Sequence, residues 1–302
     1  MSMGVPTTAK DLLLLYAKEP CTYSSLKEKE SVPRNYFSKR HLLFSRFDEG
    51  IQLTPEMWYS VCAECFAHTI AKVLSSHIQG RGYVLDLFGG AGGQAIGFAL
   101  EGHSVHSLEY SEKHCALIHN NAQVYGVSHL VFPVCCDVFT QALRFCTSGV
   151  ISQKYDCVVL SPPWGGPGYW RSGDLDFYKL KINKYKGSQL VSLMCRLVDS
   201  GISKRFILHL PRNTTTQSIC SIGTQIARHI SRAKVQEIGN AQTNFSMSSV
   251  VVSEMQLNGR VSFLVVYIGC WNKQLIKNVD NQAVLFTPSD DHSSKVPCGH
   301  FV

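Results

Sequence analysis

Between Tyr83 and Gly269 short apolar, β-branched runs alternate with longer stretches in which apolar residues recur every third or fourth position. This is the pattern of a mostly parallel sheet covered on both faces by helices. Strands are expected at Tyr83–Leu87, Ser104–Leu108, Leu130–Val134, Asp156–Leu160 and Arg205–His209. Helices are expected at Gln94–Leu100, Ser111–Tyr125, Val138–Phe145, Ser188–Leu197 and Ser218–Ser231. Ahead of these, Val61, Phe66, Ile70, Ala71 and Leu74 keep helical spacing, and Thr54-Pro55-Glu56 supplies an N-cap with a first-turn proline, which predicts a helix from Thr54 to Ser76. Val250–Leu257 and Val261–Gly269 are β-rich and joined through Asn258-Gly259, the strongest short-range signal for an antiparallel hairpin.

The ends differ from this core. Residues 1–53 combine a short helical pattern (Lys10 to Lys18), the charge run Lys27-Glu-Lys-Glu30 and an aromatic-basic segment ending at Gly50, and read as an appendage or lid. The core is expected over 54–271. From 272 to 302 polarity rises, as in Ser289-Asp-Asp-His-Ser-Ser-Lys295, and a polar, mobile tail is expected.

Composition narrows the class. The chain has 302 residues, 45% hydrophobic against 17% charged, which suits one large globular domain with accessory segments. A formal net charge of +7 favours a polyanionic partner such as nucleic acid without approaching a histone-like excess. Twelve cysteines are scattered through apolar surroundings rather than arrayed in a small disulfide framework, so they are expected to be reduced and the chain to reside in nucleus or cytoplasm. No run is long enough for a membrane span, the longest being Phe263–Ile268, and no signal peptide is expected.

The chemistry begins at Asp86-Leu-Phe-Gly-Gly-Ala-Gly-Gly93, an apolar strand running into a glycine turn that opens a helix. By itself this is ambiguous, because Gly90-Ala-Gly92-Gly-Gln-Ala95 also satisfies the dinucleotide fingerprint, with Glu109 at the later acidic position. Asp86 argues otherwise: a carboxylate beside the glycines repels a pyrophosphate but favours a cationic methionine moiety. S-adenosylmethionine is therefore the expected cofactor, with Asp86, Phe88, Gly90 and Gly92 around it, Glu109 accepting from the ribose hydroxyls and Asp137 from the adenine amino group. Solvated strand-end carboxylates remain the alternative for all three acids.

At the end of the fourth strand stands Ser161-Pro-Pro-Trp-Gly-Gly-Pro167. Consecutive prolines stiffen the turn and hold the Ser161 hydroxyl and the Pro162 carbonyl as fixed acceptors. Two acceptors on an exocyclic amine would aim its lone pair, so that catalysis is mostly positioning and needs no strong general base. Trp164 supplies a flat face for a nucleobase. An N7-methylated guanine would add a cation–π contribution of about 1–2 kcal/mol. The competing reading is a core tryptophan.

With these residues in view the chain resembles the trimethylguanosine synthase family over roughly Leu43 to Gly269. The resemblance rests on Leu43-Phe-Ser-Arg-Phe-Asp-Glu-Gly50, the glycine turn, Asn120-Asn-Ala-Gln-Val-Tyr-Gly126, the proline-tryptophan motif and Leu210-Pro-Arg-Asn213. It implies a Rossmann-like class I methyltransferase fold of α/β type, a parallel sheet with an antiparallel terminal hairpin, and an N-terminal helical extension. It further implies methylation of guanine N2 in the N7-methylguanosine cap of small nuclear or nucleolar RNA. Under it Trp164 stacks on the cap, Ser161 and Pro162 dock N2, Asn121 is a guanine-edge contact, Arg212 meets the cap phosphates, and Phe44, Arg46 and Phe47 lie over the pocket.

Three departures stand out. The family's Ser-Val-Thr-Pro-Glu is Ser60-Val-Cys-Ala-Glu64 here, Glu109 replaces a common Asp, and the insert Gly168–Gly187 carries Lys179, Lys181, Lys184 and Lys186 among Tyr178 and Tyr185. Those lysines are expected either to grip an RNA backbone or to form a solvated face. Cys62-x-x-Cys65 with His68 lacks a second pair at zinc-finger distance, and no metal is expected. Methylation of adenine N6, of tRNA guanine N2 or of protein glutamine stays open as an alternative, as does a cap-binding module without turnover.

Overall fold

The computed structural model describes residues 32, 34–147, 154–166, 168, 173–238, 249–257, 259–279 and 283–286. The expected helix at Lys10–Lys18, the Lys27–Glu30 run and the segment Ser289–Lys295 lie outside them.

The strands, in chain order, are β1 (Tyr83–Asp86), β2 (Ser104–Glu109), β3 (Val131–Cys135), β4 (Cys157–Leu160), the two-residue pair β5 (Lys181–Ile182) and β6 (Tyr185–Lys186), β7 (Arg205–Pro211), β8 (Ser249–Leu257), β9 (Arg260–Gly269) and β10 (Ala283–Phe286). Among the described residues eight of them form one sheet in the order β10-β8-β9-β7-β4-β1-β2-β3, and β5 pairs with β6 alone. β1 to β4 and β7 run parallel. β9 enters antiparallel between β7 and β8, as the Asn258-Gly259 turn signal requires, with Gly259 at φ +72°.

Side chains of successive strand residues go to opposite faces. Val84, Cys157, Val159, Ile207 and Val265 join one apolar cluster, while Leu85, Val158, Leu160, Phe206 and Leu208 join the other. Helices cover both clusters. They are α1 (Arg34–Phe37), α2 (Arg40–Leu43), α3 (Met57–Ser60), α4 (Glu64–Ile78), α5 (Gly93–Leu100), α6 (Glu112–Val124), α7 (Val138–Thr147), α8 (Gly187–Asp199), α9 (Thr216–Ile238) and α10 (Lys273–Val279). The chain winds from β1 outward through β2 to β3, then crosses to β4 on the other side of β1. The carboxyl ends of β1 and β4 therefore meet at a topological switch point, where doubly wound sheets bind ligands.

Three expectations need correction. The helix expected from Thr54 to Ser76 is two helices, α3 and α4, separated by extended backbone at Val61 (ψ 137°) and Ala63 (ψ 143°). Tertiary packing breaks it: Val61 and Cys62 lie flat on the start of α5, so close that a Cβ on Gly93 would sit 2.8 Å from Val61 and 3.0 Å from the Cys62 carbonyl. Second, the segment before residue 54 is no loose appendage where it is described. Phe44, Phe47 and Ile51 are buried in the first cluster with Met57 and Trp58. Third, the tail expected from 272 begins with structure: Ile276 of α10 is fully buried and β10 adds antiparallel to β8 at the sheet edge.

Candidate active site at the sheet switch point

Asp86 ends β1 and is 1% exposed. Its Oδ2 accepts from the Ser107 hydroxyl (2.9 Å) and its Oδ1 from the Phe88 amide (3.2 Å). Burial outweighs those bonds and pushes the carboxyl up to about 6, with the nearby Glu109 charge acting in the same direction. The turn that follows needs glycine at Gly92, which caps α5 at φ +82°; Gly90 has φ +54°.

Glu109 ends β2 and organises this loop. Its Oε2 accepts from the Gly90 amide (2.9 Å) and its Oε1 from the Ser111 amide (3.0 Å). Burial opposes its ionisation, but hydrogen bonds from His114 and the two amides, together with the His114 charge, bring its pKa below the usual carboxylate range. His114 Nδ1 stands 3.4 Å from Oε1, which the Ser111 amide also uses, so the lone-pair direction left for a further donor is on Oε2.

Asp137 follows β3 and is more engaged than the sequence suggests. Its Oδ1 accepts from the Phe139 amide (3.0 Å), and its Oδ2 from the Tyr185 hydroxyl (2.7 Å), with Lys184 Nζ 3.5 Å away. Tyr185 stacks on Phe139 at 4.0 Å, and Phe139 meets Phe88 edge-on at 6.4 Å. The β5–β6 hairpin thus closes over the side of the site expected to take adenine.

Ser161 and Pro162 continue β4, with Ser161 half-buried and Pro162 buried. β4 pairs directly with β1, Asp86 opposite Val159, so the proline turn stands beside the glycine turn. Trp164 is half-buried and leans on Phe263 of β9 (6.1 Å, 46°). Phe263 stacks on His209 of β7 (5.2 Å, 22°), and burial pushes His209 down to about 4, so it is neutral near pH 7. Sequence reasoning missed both of these. Only the antiparallel register, which sets Phe263 opposite Pro211, brings them behind the tryptophan. Arg212, exposed just past β7, donates to the Val261 carbonyl (3.4 Å) and stands on this same edge.

Asn121 and Phe44 are turned into the fold. Asn121 is fully buried: its amide nitrogen donates to the Gln52 (3.0 Å) and Ala91 (2.9 Å) carbonyls, and its oxygen accepts from the Gln52 amide (2.9 Å) and Asn120 (3.1 Å). Its capacity is spent on clamping the N-terminal segment to the glycine loop, which corrects its expected role at a guanine edge. Phe44 is 2% exposed against Tyr125, a packing residue rather than a pocket wall. Arg46 pairs with Glu49 and lies over the Tyr125 ring. Glu64, at the start of α4, accepts from the Ser45 amide and hydroxyl and from Tyr125, so the Ser60–Glu64 departure leaves its acid with a structural task.

The four lysines diverge. All four are exposed, but Lys184 Nζ reaches across to Asp137 (3.5 Å) and Lys179 pairs with Asp176 (3.1 Å), while Lys181 and Lys186 stand outside those two pairs. Among the described residues, no group of three or more His, Cys, Asp or Glu comes together as a metal site, and no helix is long and apolar enough to cross a membrane.

The S-adenosylmethionine expected from the sequence fits this arrangement. A buried carboxyl held near neutrality at Asp86 is stabilised as an anion by an arriving ammonium, and Glu109 retains acceptor capacity beside the glycine turn.

Comparison with known proteins agrees. A family profile described as RNA cap guanine-N2 methyltransferase matches residues 81–271. Trimethylguanosine synthase of Saccharomyces cerevisiae is 30% identical over 207 residues, 66% of this chain and 61% of that protein. Its counterpart in Schizosaccharomyces pombe is 35% identical over 195 residues, 63% of this chain and 75% of that protein. The match thus spans about three fifths of the length of the budding-yeast relative. Among solved structures, the METTL16 methyltransferase domain aligns with a TM-score of 0.49 at 14% identity, covering 82% of each chain. With a profile matching most of the chain, glycine turn and proline-tryptophan turn included, this protein belongs to the RNA cap guanine-N2 methyltransferase family.

Proposed function

We propose that this protein methylates the exocyclic N2 of the N7-methylguanosine cap of RNA, with S-adenosylmethionine as methyl donor. The observation that carries the reading is the meeting of two turns at the switch point: Asp86 and the glycines at the end of β1, and Ser161-Pro-Pro-Trp164 at the end of the adjacent β4. The bound donor supplies an electrophilic methyl on a sulfonium.

The chain's own residues hold and aim. Asp86 takes the donor's ammonium, Glu109 its ribose, and Phe88, Gly90, Gly92 and Asp137 line the remainder. The Ser161 hydroxyl and the Pro162 carbonyl accept from the N2 amine and fix its lone pair, and the amine's proton leaves to water after transfer. Trp164, braced by Phe263, stacks on the cationic base, and Arg212 meets the cap phosphates with a permanently charged guanidinium. Lys181 and Lys186, exposed and outside the carboxylate pairs that Lys179 and Lys184 make, are the insert lysines suited to an RNA backbone. The site of action is nucleus or cytoplasm, where capped RNA is found.

The test is methyl transfer to N7-methyl-GDP and to GDP, followed by mass spectrometry with and without chelator. Transfer to N7-methyl-GDP alone, unchanged by chelator, is expected. Equal rates on both nucleotides would remove the role given to Trp164, and no transfer to either would remove the reading.

A further inference from the structure

At the opposite edge of the sheet, where β4 and β7 begin and β9 ends, lies an open cleft of about 950 Å³. Lys154, Lys204, Arg205 and Lys273 line it, against one carboxylate, Asp156. Asp156 is partly engaged elsewhere, its Oδ2 accepting from the Tyr83 amide (2.9 Å). Arg205 is half-buried on the floor, and the bonds that hold it go to carbonyls, Nε to Cys270 (2.9 Å) and Nη1 to Asp156 (3.2 Å). A guanidinium fixed this way is oriented but keeps its full charge, so an anion in the cleft gains what a carboxylate would otherwise supply. His77, on the wall, accepts the Asn272 amide at Nδ1 (3.2 Å), and its pKa is lowered by burial and by the Arg205 charge, which leaves it neutral and marks the positive field.

The apolar side chains of the lining, Tyr155, Ile202 and Trp271, are already buried in the fold. A protein partner would find few apolar anchors there, and binding must rest on charge. β7 separates the cleft from Arg212 by its seven residues, roughly 23 Å at a strand rise of about 3.3 Å per residue. A cap analogue in the switch-point site cannot reach both places, whereas a longer RNA can.

We propose that this cleft is a second polyphosphate-binding site, which takes the phosphate backbone of the RNA whose cap occupies the other edge. The proposal rests on the cap-methylating reading for the identity of the RNA. It implies that the RNA body passes around the sheet, and that RNA length contributes to affinity while leaving chemistry on the cap itself untouched.

The test is the triple variant Lys154→Gln, Lys204→Gln, Lys273→Gln in the full chain, with Arg205 kept because it ties two loops. Fluorescence anisotropy with an uncapped single-stranded RNA of about twenty nucleotides reads the cleft without involving the cap. Removing three phosphate contacts should flatten the log–log salt dependence by about 2 and weaken binding at low salt at least tenfold. Methylation of N7-methyl-GDP should stay within about twofold of the parent, which also establishes that the variant is folded. An unchanged salt slope would overturn the proposal, as would poly-glutamate competing as well as RNA at equal charge. The single reversal Lys273→Glu should weaken RNA binding in the same direction, and full affinity in it would likewise count against the site. Failure of the parent protein to methylate any cap analogue would strike the cap reading instead, since the RNA-binding arm is measured without it.

Discussion

Asp86→Asn separates what the fold wants from what the site needs. The carboxyl is 1% exposed and held at about 6, against an ordinary 3.8. A raised folded-state pKa stabilises the fold fully below the unfolded value, and that stabilisation is lost as pH rises through the folded value. Ionised Asp86 therefore costs the empty protein up to about 3 kcal/mol near pH 8. Asparagine keeps the shape, accepting the Phe88 amide at its oxygen and donating to a turned Ser107 hydroxyl, without the buried charge. Thermal melts of the empty protein should show the parent losing stability relative to the variant as pH goes from about 4 to about 7, the interval set by the unfolded and folded values. The variant should then melt higher, by roughly 6 °C if the full cost is relieved. Calorimetry should show S-adenosylmethionine binding lost in the variant, and in the parent falling about tenfold per pH unit below 6 as the acid protonates. A variant less stable than the parent at every pH, or one that binds the cofactor normally, would refute the reasoning.

Trp164→Ala should cost roughly 1–3 kcal/mol in cap binding and abolish turnover while cofactor affinity stays within about threefold; equilibrium binding of N7-methyl-GDP and of cofactor tests the split, and a melted protein would favour the core-tryptophan reading. Asn121→Leu removes four hydrogen bonds of a fully buried side chain and orphans Gln52 and Ala91, so urea melts should show a loss of about 3 kcal/mol or more; a neutral result would mean that the clamp does not hold. Tyr185→Phe deletes a donor that competes for the Asp137 carboxylate, and calorimetry should find cofactor binding tighter by about fivefold, the worth of roughly 1 kcal/mol. Tenfold weaker binding would make the hydroxyl part of the site rather than its competitor.

Much of the fold was legible because it rests on local periodicity. The strand starts at Tyr83, Ser104 and Arg205 and the antiparallel closure that sets Leu257 opposite Arg260 follow from alternation and turn chemistry that neighbours along the chain settle among themselves. Asp86, Glu109 and the proline turn were legible too, because a charged or rigid residue at the end of an apolar strand stands out against its surroundings. What stayed hidden depends on contacts between distant segments. The break between α3 and α4 comes from Gly93, some thirty residues on, and the burial of Asn121 comes from Gln52 and Ala91.

The sequence by itself determined the parallel core, its closing hairpin and the placement of Asp86, Glu109 and the proline turn at strand ends, since each is written in residues within a few positions of one another. Only the tertiary structure decided that Asn121 clamps rather than reads a base, that Phe263 and His209 stand behind Trp164, that Asp137 is already held by the hairpin, and that four cations gather around the far cleft. The reason is physical. A polar or charged side chain is assigned its task by whichever partner satisfies it, and that partner comes from elsewhere in the chain once the strands have chosen their order.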